Sequence, residues 1–132
     1  MEGLSTREFA DLLARLAIEH KASDLSVLEM SEVIDFADIF VICSADNRRM
    51  VRAIAEQISL HVKHELGRLP VGIEGMEASR WVLVDFGDVI LHIFDMPLRG
   101  FYDLDRLWGD ATPLPTPEEP AREEDDWTDE EA

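Results

Sequence analysis

The chain has 132 residues, 46% of them apolar, enough for one hydrophobic core and too short for two ordinary domains. Its 29 acidic and 12 basic residues give a net charge of -17, which argues against binding driven by nucleic-acid phosphates and favours a basic protein partner. Cys43 is the single cysteine, so no intrachain disulfide is available. The longest apolar run, Ile39 to Cys43, is too short for a bilayer span, and the N-terminus lacks an apolar stretch of signal-peptide length, so a cytoplasmic protein is expected.

Ser5 and Glu8 have the spacing of a capping box, with Leu4 and Phe9 placed to staple the first turn. Phe9, Leu12, Leu13, Leu16 and Ala17 then fall on one face, which predicts a first helix. Asp24 to Met30 is a candidate short strand. Ile39 to Cys43 is continuously apolar and rich in β-branched residues, the signature of a central strand buried on both faces. Asp46 or Asn47 can cap a second helix whose stripe is Val51, Ile54, Ala55, Ile58, Val62 and Leu66, and Gly67 is a natural stop. Pro70 to Glu74 is a possible edge strand. Pro97 can begin a last helix running roughly to Trp108.

Beyond Trp108 the composition changes. Pro113, Pro115, Pro117 and Pro120 break regular structure, and residues 111–132 hold nine acids and one base. A folded domain over residues 1–110 and a disordered tail over 111–132 are expected. The element order predicts a single α/β domain with a mixed β-sheet and helices mainly on one face.

The segments Trp81 to Phe86 and Val89 to Phe94 flank Gly87-Asp88, a glycine-first two-residue loop suited to a type II′ hairpin. That loop pairs Phe86 with Val89 and Trp81 with Phe94. Val82, Val84, Phe86, Val89, Leu91 and Ile93 then share one wholly apolar face, which belongs in the core. The other face carries Trp81, Leu83, Asp85, Ile90, His92 and Phe94. Its mixture of aromatic, aliphatic and polar side chains suits an interface, although a helix or the chain's own tail is the competing cover.

No catalytic or metal constellation emerges. His61 and His64 are three apart on the second helix, but no cysteine lies near them in sequence, so a solvated helix face is the better reading. Asp103 and Asp105 are two apart on a predicted helix and point in widely different directions. Asp85 and Asp88 bracket the tight turn and are expected to shape it. An enzyme would need carboxylates such as Asp38, Asp46 or Asp85 to converge on one ion, and Ser44 has no evident base beside it. His92 reads as a hydrogen-bonded structural or interface residue. No cofactor is expected.

Several segments together resemble the RsfS (Iojap-like) family of ribosomal silencing factors. They are Lys21-Ala22-Ser23-Asp24-Leu25-Ser26-Val27-Leu28, Asp38-Ile39-Phe40-Val41-Ile42-Cys43-Ser44, Met50 to Ala55, Glu74-Gly75, the whole of Trp81 to Phe94, then Arg99, Phe101-Tyr102 and Leu104 to Trp108. Leu98 departs from the pattern, standing where many relatives carry an acidic residue. The resemblance implies a nucleotidyltransferase-like fold without transferase activity. It also implies binding to the large ribosomal subunit through ribosomal protein L-fourteen, a steric block to subunit joining under nutrient limitation, and homodimers in the free state. The residues expected at the partner surface are Trp81, Leu83, His92 and Phe94 on the hairpin, with Arg99 and Tyr102 bordering them. The other readings are a nucleotidyltransferase-like enzyme using the carboxylates above and a dimeric adaptor for some other protein.

Overall fold

A computed structural model describes residues 3–101 and 109–117. The first helix, α1 (Thr6–Glu19), begins where the side chains dictate. Ser5 Oγ accepts from the Glu8 backbone N–H at 3.1 Å, and Glu8 Oε1 accepts from the Ser5 N–H at 2.9 Å. This reciprocal cap satisfies two of the donors that a helix start leaves open. Phe9, Ala10, Leu13, Ala14, Leu16 and Ala17 are all buried against the sheet.

Strand β1 (Ser23–Glu29) follows, then β2 (Ile39–Ala45), buried along its whole length as its apolar run predicts. Helix α2 (Arg48–Leu66) is capped by Asn47, whose side chain accepts from Met50 N–H at 2.9 Å, and it ends at Gly67 with φ +64°. Left-handed backbone at that point suits glycine. Its buried stripe stops at Val62, and Leu66 is exposed. The short β3 (Gly72–Glu74) is followed by the hairpin β4 (Trp81–Asp85) and β5 (Val89–Asp95), then α3 (Met96–Phe101) and β6 (Thr112–Leu114).

The six strands form one sheet in the order β3-β4-β5-β2-β1-β6. β2 and β5 run parallel at its centre and every other neighbouring pair is antiparallel. The hairpin register is the expected one, with Trp81 opposite Phe94 and Phe86 N–H donating to Val89 O at 2.9 Å. Gly87 has φ +99°, and Asp85 Oδ1 accepts from its N–H at 2.8 Å, so Asp85 does shape the turn. Asp88 instead ties the turn to both long helices. Arg68, just past α2, donates to Asp88 Oδ1 at 2.5 Å and to Phe86 O at 2.7 Å, and Thr6 Oγ1 donates to Asp88 Oδ2 at 3.0 Å. The Arg68 guanidinium also lies 4.1 Å from the Phe9 ring centre. Partial burial raises the Asp88 carboxyl, but the bonds from Arg68 and Thr6 outweigh it and hold the group below its ordinary range.

α1 and α2 cover one face of the sheet, where they enclose the main core with Val82, Val84, Phe86, Val89, Leu91 and Ile93. All six are at most 3% exposed.

One boundary needs correction. Residues 112–114 do not belong to a disordered tail, because β6 pairs with β1 through Thr112 opposite Glu29, Pro113 opposite Leu28 and Leu114 opposite Val27. Without it, β1 would be a bare sheet edge, and a short strand containing proline is an edge strand by its chemistry. Leu114 also packs on the main core. Residues 102–108, which include most of the expected last helix, and 118–132 lie outside the described residues. A chain ending at Pro117 should therefore melt within a few degrees of the full chain. One ending at Gly109 should melt lower by about 5 °C or more, since it uncovers β1. Equal melting temperatures for the two shortened chains would show that β6 adds nothing to stability.

Candidate partner-binding face

The face away from α1 and α2 is built in rows by the strand register. Trp81, Leu83 and Asp85 on β4 stand beside Phe94, His92 and Ile90 on β5, and these stand beside Ser44, Ile42 and Phe40 on β2. Directly paired residues project to the same side, so the aromatic rings converge. Trp81 stacks on Phe94 with centroids 4.6 Å apart at 25°, and Phe40 lies 4.4 Å from His92. Such ring pairs contribute about 0.5–1.5 kcal/mol each beyond their buried area.

A second, smaller core covers much of this face. Met30 and Ala37, from the segment joining β1 to β2, bury against Phe40, Ile42, Ile90 and Phe94, with Ile34, Leu98 and Ala111 packed at the margin. The joining segment is closed by Met30 N–H donating to Asp38 O at 2.7 Å, and Val33 and Ile34 N–H turn back onto Met30 O. His92 and Phe94 are consequently 2% and 0% exposed. The expectation that they stand in an open patch is corrected: they are the floor beneath it. Strand alternation shows which residues share a face, but not what a distant segment lays over them.

Trp81 and Leu83 remain half-buried at the margin of this core. Trp81 Nε1–H donates to His92 Nδ1 at 3.1 Å. A neutral ring that accepts at Nδ1 carries its proton on Nε2. Burial pushes the imidazole down to about 3, so it stays neutral at physiological pH. His92 therefore orients the indole of Trp81 and is shut away from any external substrate.

Asp95, at the end of β5, positions what comes next. Its Oδ2 accepts from Arg80 Nε at 3.2 Å and its Oδ1 accepts from Leu98 N–H at 2.8 Å, which sets the direction of α3. Arg99 lies within α3 by its backbone; its side chain and the whole of Tyr102 fall outside the described residues. Two further apolar side chains escaped the reading by strand pattern. Val33 and Phe36, on the covering segment, are 37% and 66% exposed. Their signal was present as isolated large apolar residues in a stretch with no strand or helix period.

Of the carboxylates considered for an enzyme, Asp46 stands apart from Asp38 and Asp85. Asp38 precedes β2 and Asp46 follows it, so they are separated by the length of the strand, roughly 25 Å at about 3.3 Å per residue. Asp38 N–H donates to Asp88 O, placing it at the hairpin-turn end with Asp85. Among the described residues no group of three or more His, Cys, Asp or Glu side chains is gathered that could hold a metal ion.

Residues 4–132 match the profile of the family described as "Ribosomal silencing factor during starvation", RsfS. This chain belongs to the RsfS family. A ribosomal silencing factor from Halalkalibacterium halodurans is 37% identical over 108 residues, covering 82% of this chain and 92% of the relative. A mouse protein named "Mitochondrial assembly of ribosomal large subunit protein 1" is 32% identical over 100 residues, covering 74% of this chain and 44% of that one. The crystal structure of a Chromobacterium violaceum protein superposes with a TM-score of 0.74 at 29% identity, covering 94% of this chain and 99% of that one. The RsfS relatives are named for a regulatory role and not for a reaction. No described helix of this RsfS chain is long and apolar enough to cross a membrane.

Proposed function

We propose that this protein docks on the large ribosomal subunit through ribosomal protein L-fourteen and sterically blocks joining of the small subunit, lowering translation when nutrients are short. Membership of a family described as silencing factors acting during starvation carries this reading. The name of the mouse relative, which refers to large-subunit assembly, supports the choice of subunit. Trp81 and Leu83 supply the apolar contact, with Arg99 and Tyr102 at its border, while His92 and Phe94 act from beneath by holding the indole. Aromatic and arginine side chains dominate such surfaces because they bury much area for little lost freedom. The net charge of -17 steers the protein toward a basic partner. In isolation it is expected to pair with a second copy, and it is expected to act in the cytoplasm without a cofactor.

Sedimentation with purified subunits tests this directly. The protein should travel with large subunits and not with small ones, and its addition to a mixture should lower the joined fraction. Travel with small subunits alone, or joining unaffected at saturating protein, would overturn the reading.

A further inference from the structure

A second surface lies on the other side of the sheet and takes no part in the reading above. β3 is the terminal strand of the sheet, and all three of its residues are exposed. α2 packs mainly on β2, β4 and β5, with at most slight packing on β3. Ile73 pairs with Val84, so it projects to the helix side, yet it is 40% exposed where Val84 is 0%. Between the helix and the strand runs a groove of about 450 Å³ lined by Ser59, Leu60 and Lys63 on one wall and Leu69, Ile73 and Met76 on the other. Leu60 and Leu69 are 48% and 63% exposed along it. Ser59 Oγ is shielded from solvent and has no hydrogen-bond partner among the described residues.

We propose that this groove receives an extended segment of another protein, with basic and apolar residues in alternation, added beside β3 as a further strand. A bare strand edge beside an apolar groove fits an extended chain, with main-chain hydrogen bonds for affinity and alternate side chains for selectivity. Charge selects the basic class. Glu56 lines the groove, and Glu74, paired with Leu83, projects from β3 to the opposite face, where the alternate residues of an added strand would lie; both are exposed. Lys63 is the one basic residue in the lining. Arg52 on α2 is already engaged, donating to the Met76 and Glu77 carbonyls and to Ser79 Oγ. The chain's own residues 118–132, with nine acids and one base, would bring like charge to the groove, and a second copy would bring a net -17.

The test uses the full chain, isotopically labelled, and three acetylated hexapeptides that alternate lysine with valine, glutamate with valine, or lysine with serine. The lysine–valine peptide should give saturable resonance shifts concentrated at residues 55–63 and 69–76. The other two should bind at least tenfold more weakly. Ile73→Lys, which places a like charge on the strand, and Leu60→Ser, on the opposite wall, should each weaken binding at least tenfold with melting temperatures unchanged. Shifts elsewhere only, or equal binding of the lysine–serine peptide, would overturn the proposal. So would equal binding of the glutamate–valine peptide. If the free protein is a dimer that Ile73→Lys dissociates, the occupant is a second copy and the proposal fails on that ground as well.

Discussion

Replacing Val84 with aspartate should unfold the protein, whereas the same replacement at its neighbour Leu83 should leave it folded but with weakened hold on the ribosome. The two residues are adjacent in β4 and point to opposite faces. Val84 is 0% exposed, paired with Leu91 and Ile73, and packed within the apolar main core. Burying an unpaired charge there costs on the order of 5 kcal/mol, comparable with the whole stability of a small domain. Leu83 is half-buried at the margin of the second core, so an aspartate can turn outward, with a loss of about 1–2 kcal/mol. Its effect should appear in sedimentation with large subunits, as binding weakened by tenfold or more, about 1.4 kcal/mol. Circular dichroism separates the outcomes before any binding is measured. If Leu83→Asp folds and binds normally, the ribosome contact lies off the hairpin. If Val84→Asp folds like the wild type, the helix-side core has been misassigned.

Between pH 7 and pH 5, acid should destabilise the protein mainly through His92. In the unfolded chain a histidine titrates near 6.5, while burial holds His92 at about 3 in the folded protein. Between these values the unfolded chain binds a proton that the native state refuses, so stability falls as the pH falls. The contribution is complete above about pH 6.5 and is progressively lost on descent toward 3. At about 1.4 kcal/mol per pH unit, going from pH 7 to pH 5 removes about 2 kcal/mol. His92→Gln keeps an acceptor for Trp81 Nε1–H and has no proton to gain, so its stability should change less over the same interval. Urea midpoints for both proteins at pH 7, 6 and 5 check this, since carboxylate contributions common to both cancel. Parallel losses in the two proteins would mean that His92 is reached by solvent in the folded state. Trp81 fluorescence adds a local readout, because the indole N–H bonds directly to the ring that would become charged.

Several features of this protein are determined by sequence alone because they depend on groups close together in the chain. The Ser5–Glu8 cap spans three residues, the Gly67 stop acts at a single position, and the Gly87-Asp88 turn sets the hairpin register from within. The uninterrupted apolar run of β2 announces burial on both faces without reference to what does the burying. Family membership is legible for a related reason, since the segments that carry the resemblance are stretches of contiguous residues.

Tertiary structure decided everything that required one segment to lie over another. The mixed hairpin face read as open, but parallel placement of β2 beside β5 brings the 30–38 segment back over it, and α3 adds Leu98. His92 and Phe94 thus became floor while Trp81 and Leu83 stayed at the margin. Residues 112–114 read as tail because their prolines oppose regular structure locally, and they became a strand because β1 offered an unpaired edge. The groove beside β3 has no sequence signature, since Leu60 lies outside the buried stripe of α2 and Ile73 sits in a strand of three residues. Only the placement of α2 beside the sheet edge brings them to one groove. Local rules set each segment's shape and which side is apolar, while the cover on that side depends on contacts between segments far apart in the chain.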